Sequence, residues 1–166
     1  FNSMYSMYLI TYVFFGIVLG ILAFSLYDRL KIDSSPLIRI ATFIGLLWSF
    51  SLTISGMIYN YGMITTINLS KIDLLQAQEN WQSIEPIAMG LGGAGGELLG
   101  GLWVFLISLI AHKSKRLPKL LNWLGFLIGI SGVLSTIPFL HDVGMIFGIL
   151  QIFWLIWLGI VLLKSK

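Results

Sequence analysis

The chain has 166 residues, of which 57% are hydrophobic and only 10% charged, with a mean hydropathy of +0.93. Water-soluble domains average about 45–50% apolar and about 25% charged residues, so polar material is too scarce to coat a soluble globule of this size. That excludes an ordinary cytosolic enzyme and a disordered chain. With no cysteine, it also excludes a disulfide scaffold, a thiolate metal site and thiol catalysis. The net charge of +3 is not a nucleic-acid footprint, because the basic residues sit at the ends of apolar runs instead of along one face.

A membrane span needs about 20 mostly apolar residues to cross about 30 Å of hydrocarbon. Five stretches qualify, at 7–27, 37–59, 87–111, 120–140 and 143–163. Backbone groups in lipid must be satisfied within the segment, and the alternation of a membrane β-barrel is missing. The expected fold is therefore all-α: one polytopic transmembrane helix bundle of five spans, with no second folded domain. The span at 120–140 is the weakest, being rich in glycine with Pro138 near its end.

Orientation follows from the lysines and arginines. Arg29, Lys31 and Arg39 flank the first connection, Lys113, Lys115, Arg116 and Lys119 the third, and Lys164 and Lys166 close the chain. These nine fall on alternate ends of a five-span threading. The other ends carry Lys71 with Asp73, Glu79, Glu85 and Asp142. The expectation is that 28–36, 112–119 and the C-terminus are cytoplasmic, and that the N-terminus and a 60–86 loop face outside. Because the sequence starts at Phe1 instead of Met, a removed signal peptide or a sixth, preceding span is expected, the latter being favoured.

Within 60–86, Ser70 and Asp73 resemble a capping box, with Asp in place of the usual Glu or Gln. Ile72, Leu75, Trp81 and Ile84 give a partial apolar stripe among polar residues. An amphipathic helix at about 71–83 is expected, as a lid on the bundle or a partner- or ligand-facing surface. Pro86 would then open the third span.

The segment 90–101, GLGGAGGELLGG, holds seven of the 18 glycines. It matches GxGxxG formally, but it lacks the preceding strand, the βαβ unit and the later acid of a dinucleotide site. Helix packing is the better reading. Gly92, Gly96 and Gly100 are spaced four apart, as are Gly16 and Gly20, Gly125 and Gly129, and Gly144 and Gly148. Small residues let helices approach closely where the hydrophobic effect cannot drive them together. A locally unwound helix that exposes its backbone to a ligand is the alternative.

Glu97 lies in this run, about 15 Å into the third span at 1.5 Å per residue. A carboxylate at that depth must be paired, hydrated or protonated. Counted from the span ends, Gln151, Ser49, Ser51 and Ser131 fall near the same level and would form a polar layer with it. Two readings stay open: a proton-carrying or substrate-binding acid, and a protonated acid acting as hydrogen-bond glue between helices. His112 and His141 fall at opposite ends of the spans, so no shared metal or haem site is expected, and no cofactor. No Ser-His-Asp set or HExxH motif is present. The tryptophans read as packing and interfacial anchors, and KSKRLPK is basic enough to touch anionic headgroups.

From Gly95 onward the order GGELLGGLW, a basic loop with Leu-Pro-Lys, a Leu-Gly span and a closing Trp-Leu-Gly-Ile helix resembles a bacterial multi-pass membrane family, domain of unknown function 4386. The resemblance covers residues 95–163 and rests on Gly, Trp, Leu and Pro positions. It implies a bundle of six spans in full length, in a bacterial inner membrane, and no catalytic residue. Three functions follow as expectations. The first is a non-enzymatic accessory, assembly or oligomerising subunit, with membrane lipids around it and a membrane-protein partner or a second copy against its glycine faces. The second is a small transporter or proton-coupled carrier using Glu97. The third, less favoured, is an intramembrane enzyme that binds lipid or quinone.

Overall fold

A computed structural model describes residues 2–31, 36–93 and 97–164. Among these there is no strand. Helix α1 (Asn2–Tyr8) runs through a π-helical stretch (Leu9–Phe14) into α2 (Phe15–Leu30). Then follow α3 (Pro36–Ser70), α4 (Leu74–Gly92), α5 (Leu98–Ser114) and α6 (Lys119–Leu134). A 3₁₀ turn (Pro138–Val143) leads into α7 (Gly144–Lys164). Three helical segments are long and apolar enough to cross a membrane: Ser3–Leu30 with 28 residues, Pro36–Ser70 with 35, and Pro138–Lys164 with 27. They contain the first, second and fifth expected spans. The third and fourth correspond to α5 and α6, apolar helices of 17 and 16 residues. At 1.5 Å per residue these reach about 25 Å, short of a full hydrocarbon core.

Two expectations about chain order need correction. Residues 60–86 are not a loop: α3 continues to Ser70, and α4 begins after a three-residue turn. Asp73, not Ser70, is the cap of α4, its carboxylate accepting from Leu75 N at 2.9 Å and Gln76 N at 3.2 Å. The Ser70 hydroxyl instead donates back to Ile67 O within α3. Nor does Pro86 start a helix. It lies inside α4, where proline forfeits one backbone bond, to the carbonyl four residues back. Both Pro86 and Gln82 are exposed, so this loss is not confined in a packed core. The helix ends seven residues later, at Gly93, whose φ of 90° is a left-handed conformation that glycine takes at no steric cost.

The chain divides into two compact units. The first comprises Phe1–Ile21 and Leu47–Gly95. Here α3 runs antiparallel to both of its neighbours. Gly56 meets Tyr12 and Val13, and Gly16 meets Ser49 and Thr53. On the α4 side, Thr66 Oγ1 accepts from Asn80 Nδ2 at 2.9 Å, Gly62 meets Ile84, and Ser55 Oγ donates to Ala88 O at 2.7 Å. Tyr8 stacks on Tyr59 at 4.3 Å, with Tyr12 and Trp81 tilted against the same ring. Three threonine hydroxyls on α3 are satisfied within the helix: Thr42, Thr53 and Thr65 each donate to the carbonyl four residues back, which removes the cost of an unpaired donor in apolar surroundings.

The second unit comprises Leu22–Leu46 and Gly96–Lys166. Helices α5, α6 and α7 form an antiparallel series with fully buried Trp103, Ile107, Leu121, Ile128, Phe147, Trp154 and Leu158 at its centre. Trp103 and Trp154 meet edge to face at 6.1 Å, and Trp154 Nε1 donates to Leu121 O at 3.1 Å. The first residues of α3 enter the same core through Gly45, which faces the Trp103 ring.

Candidate functional site

Glu97 is not midway along a helix. It is the residue that precedes α5, so the unbroken 87–111 span that put it at mid-depth is replaced by α4, which ends at Gly92, and α5, which starts at Leu98. The physical reason is the glycine run, where Gly93 turns left-handed and α4 stops. The Glu97 main chain is anchored on the end of α6. Its N–H donates to Ser135 Oγ at 3.0 Å, and that hydroxyl donates to Gly132 O at 2.6 Å. Glu97 O accepts from Gly101 N at 2.8 Å. A Cβ on Gly132 would lie 3.0 Å from Glu97 O, so glycine at 132 is what lets the α5 start settle there. The side chain is half-buried, at a helix N-terminus whose dipole favours a negative charge.

Of the expected polar layer, Gln151 and Ser131 belong to the same unit as Glu97 and are buried, at 6% and 4% exposure. Ser131 Oγ donates to Ile128 O within α6. Ser49 and Ser51 belong to the other unit. Ser49 clasps α2 to α3, its hydroxyl donating to Gly16 O at 2.6 Å, while Ser51 is half-buried on α3. The residue that does touch Glu97, Ser135, is not one that spacing picks out. Its signal is only a small hydroxyl one turn beyond a glycine-rich helix. Among the described residues no three His, Asp or Glu side chains come together.

The glycines divide into packed and open positions. Gly92 ends α4 against Ser55 and Tyr12, whereas Gly100 is buried on α5, so the two do not share one helix face. Gly96 lies outside the described residues. The tightest approach to another helix's backbone joins α5 to α6. A Cβ on Gly101 would meet Val133 N at 2.7 Å and Gly129 O at 2.8 Å, and one on Gly129 would meet Gly101 O at 2.9 Å. Gly125 faces the Ser108 hydroxyl and Trp154 Nε1. Gly16 packs on α3, and Gly20 is buried one turn on. The Gly144–Gly148 pair departs from expectation: Gly144 has only Ser135 nearby, at 3.3 Å, and Gly148 has nothing within 4 Å. Gly101, Gly132 and Gly45, which a search for spacing of four passes over, make closer contacts than that pair.

Two of the basic segments meet. Arg116 Nη1 donates to the Arg29 carbonyl, which brings 29 and 116 to one end of this unit. Nearby in sequence, Lys31 and Asp28 pair at 2.8 Å, and the Asp28 hydrogen bond holds the Lys31 ammonium above its ordinary pKa. His112 ends α5 edge-on to Trp123 and Phe126, at 6.0 and 5.9 Å, while His141 is exposed in the 3₁₀ turn. In comparisons with protein-family models, curated proteins and solved structures, the chain matches none.

Proposed function

We propose that the chain is a non-enzymatic membrane subunit that assembles with further copies of itself through the outer face of α7. The observation that carries this reading is the two-sidedness of that helix. Phe147, Gln151, Trp154 and Leu158 are buried. The opposite side exposes Ile149, Ile152, Phe153, Ile156 and Ile160, with Gly148 and Gly159 having open space where a Cβ would stand. Apolar side chains alone would suit lipid. Open glycines among them leave shallow hollows that a second helix can fill by close approach. The face carries no charge, and a two-fold contact needs a surface complementary to itself. The test is energy transfer between differently labelled copies in one bilayer. Gly148→Leu with Gly159→Leu should abolish transfer while leaving helix content unchanged; transfer that survives both substitutions sinks the reading.

A second reading, a proton-coupled carrier, is favoured by one observation: Glu97 stands where α4 and α5 are interrupted, half-buried at a helix start. Broken helices are where carriers place their ion and substrate ligands. Proton movement into proteoliposomes that is lost in Glu97→Gln would support the carrier. Equal proton movement in wild type and Glu97→Gln would remove it.

A further inference from the structure

The α5–α6 turn contains a cavity of about 610 Å³ lined by His112, Lys115, Leu117, Lys119, Asn122 and Trp123. Its chemistry is specific. Lys115 and Lys119 are exposed and bring two positive charges to its rim. Helix α6 starts at Lys119, and its cap, Pro118, offers no side-chain acceptor. The first backbone N–H groups of α6 therefore lack intrahelical partners and present the positive end of the helix dipole. Deeper in, Asn122 is only 1% exposed. Its Nδ2 donates to Leu117 O at 3.3 Å, whereas its Oδ1 has no partner, and neither has His112 Nδ1. A buried acceptor without a donor is costly, and here it belongs to a side chain that lines a cavity.

One side of α6 continues the cavity rim as an apolar rail: Leu120, Trp123, Leu127, Ile130 and Leu134 are all exposed. Their spacing, three or four residues apart, keeps them on one face.

We propose that this cavity binds a phosphate ester that also carries a free hydroxyl, the chemistry of an anionic glycerophospholipid headgroup. The phosphate sits between Lys115, Lys119 and the start of α6. The hydroxyl donates to Asn122 Oδ1. In the lipid, an acyl chain follows the rail past Trp123. An ammonium headgroup would supply a donor too, but it would stand beside two lysines, so a neutral hydroxyl fits better. The same phosphate chemistry exists in soluble glycerol phosphate, which lacks only the chain for the rail.

The test is native mass spectrometry of the full chain in mild detergent, with three lipids of matched acyl chains and, separately, soluble glycerol 3-phosphate as competitor. Phosphatidylglycerol should be retained well above phosphatidylcholine. Phosphatidylmethanol, of equal charge but without a hydroxyl, should be retained several-fold less than phosphatidylglycerol, and Asn122→Leu should erase that difference. Lys115→Gln with Lys119→Gln should weaken retention about thirty-fold, from the attraction typical of two lysines near an anionic surface, with helix content unchanged by circular dichroism. Displacement by glycerol 3-phosphate would assign the site to the soluble ester; retention against it would assign the site to the lipid. Equal retention of all three lipids, or no effect of the paired lysine substitutions, overturns the proposal.

Discussion

Replacing Gly101 by alanine tests the idea that glycine contacts hold α5 against α6. The new methyl would lie 2.7 Å from Val133 N, 2.8 Å from Gly129 O and 2.9 Å from Gly132 C. All three are main-chain atoms of α6, so no side chain can swing away, and the helices must separate by several tenths of an ångström. Overpacking of this kind costs about 1–3 kcal/mol. Alanine returns up to about 1 kcal/mol through its better helix propensity. The net loss expected is up to about 2 kcal/mol. Gly148→Ala is the internal control, because nothing stands within 4 Å and only the propensity gain remains. The propensity gain is common to both variants, so they should differ by the overpacking cost alone, about 1–3 kcal/mol. Reversible unfolding followed by far-ultraviolet circular dichroism in mixed dodecyl sulfate micelles, dilute enough to hold single copies, measures the difference. If Gly101→Ala is as stable as Gly148→Ala, the reasoning is refuted.

Two further predictions probe the helix contacts. Gly125→Ala should destabilise because its methyl collides with the Ser108 hydroxyl and crowds Trp154 Nε1 at 2.9 Å, and adding Ser108→Ala should recover the hydroxyl's part of the loss, with a coupling of about 1 kcal/mol in the same unfolding assay. Asp73→Ala should cost about 1 kcal/mol by removing the cap of α4, seen as faster hydrogen exchange at the amides of Leu75 and Gln76. Unchanged exchange there would mean that the cap does not hold the helix start.

Much of the helical architecture was legible in the sequence, because a long apolar run leaves few alternatives in lipid. The expected ends of the first, second and fifth spans lie inside helices of the structure, and α6 starts beside the Leu-Pro-Lys turn. The path from 60 to 97 was not legible. Proline and glycine both signal breaks, and sequence alone does not rank Pro86 against Gly93. An exposed proline loses one backbone bond and stays helical, whereas a left-handed glycine ends the helix outright. That choice moved Glu97 from the middle of an expected span to the start of a helix. Spacing also misjudged the packing glycines. A period of four places residues on one face but does not say which face meets a neighbour, so Gly144 and Gly148 fit the pattern while Gly101 and Gly132 make the contact. The cavity beside Lys115 was visible only as a basic loop, since Asn122 Oδ1 becomes informative once its lack of a partner is known.

The most direct measurement of the account is the protein mass of the particle in mild detergent, with bound detergent and lipid subtracted by light scattering. Self-assembly through α7 predicts an integral multiple, two or more, of the 18.6 kDa chain mass, falling to a single chain when Gly148 and Gly159 are both replaced by leucine. A wild-type particle of one chain, at concentrations where the helix content is intact, would contradict it.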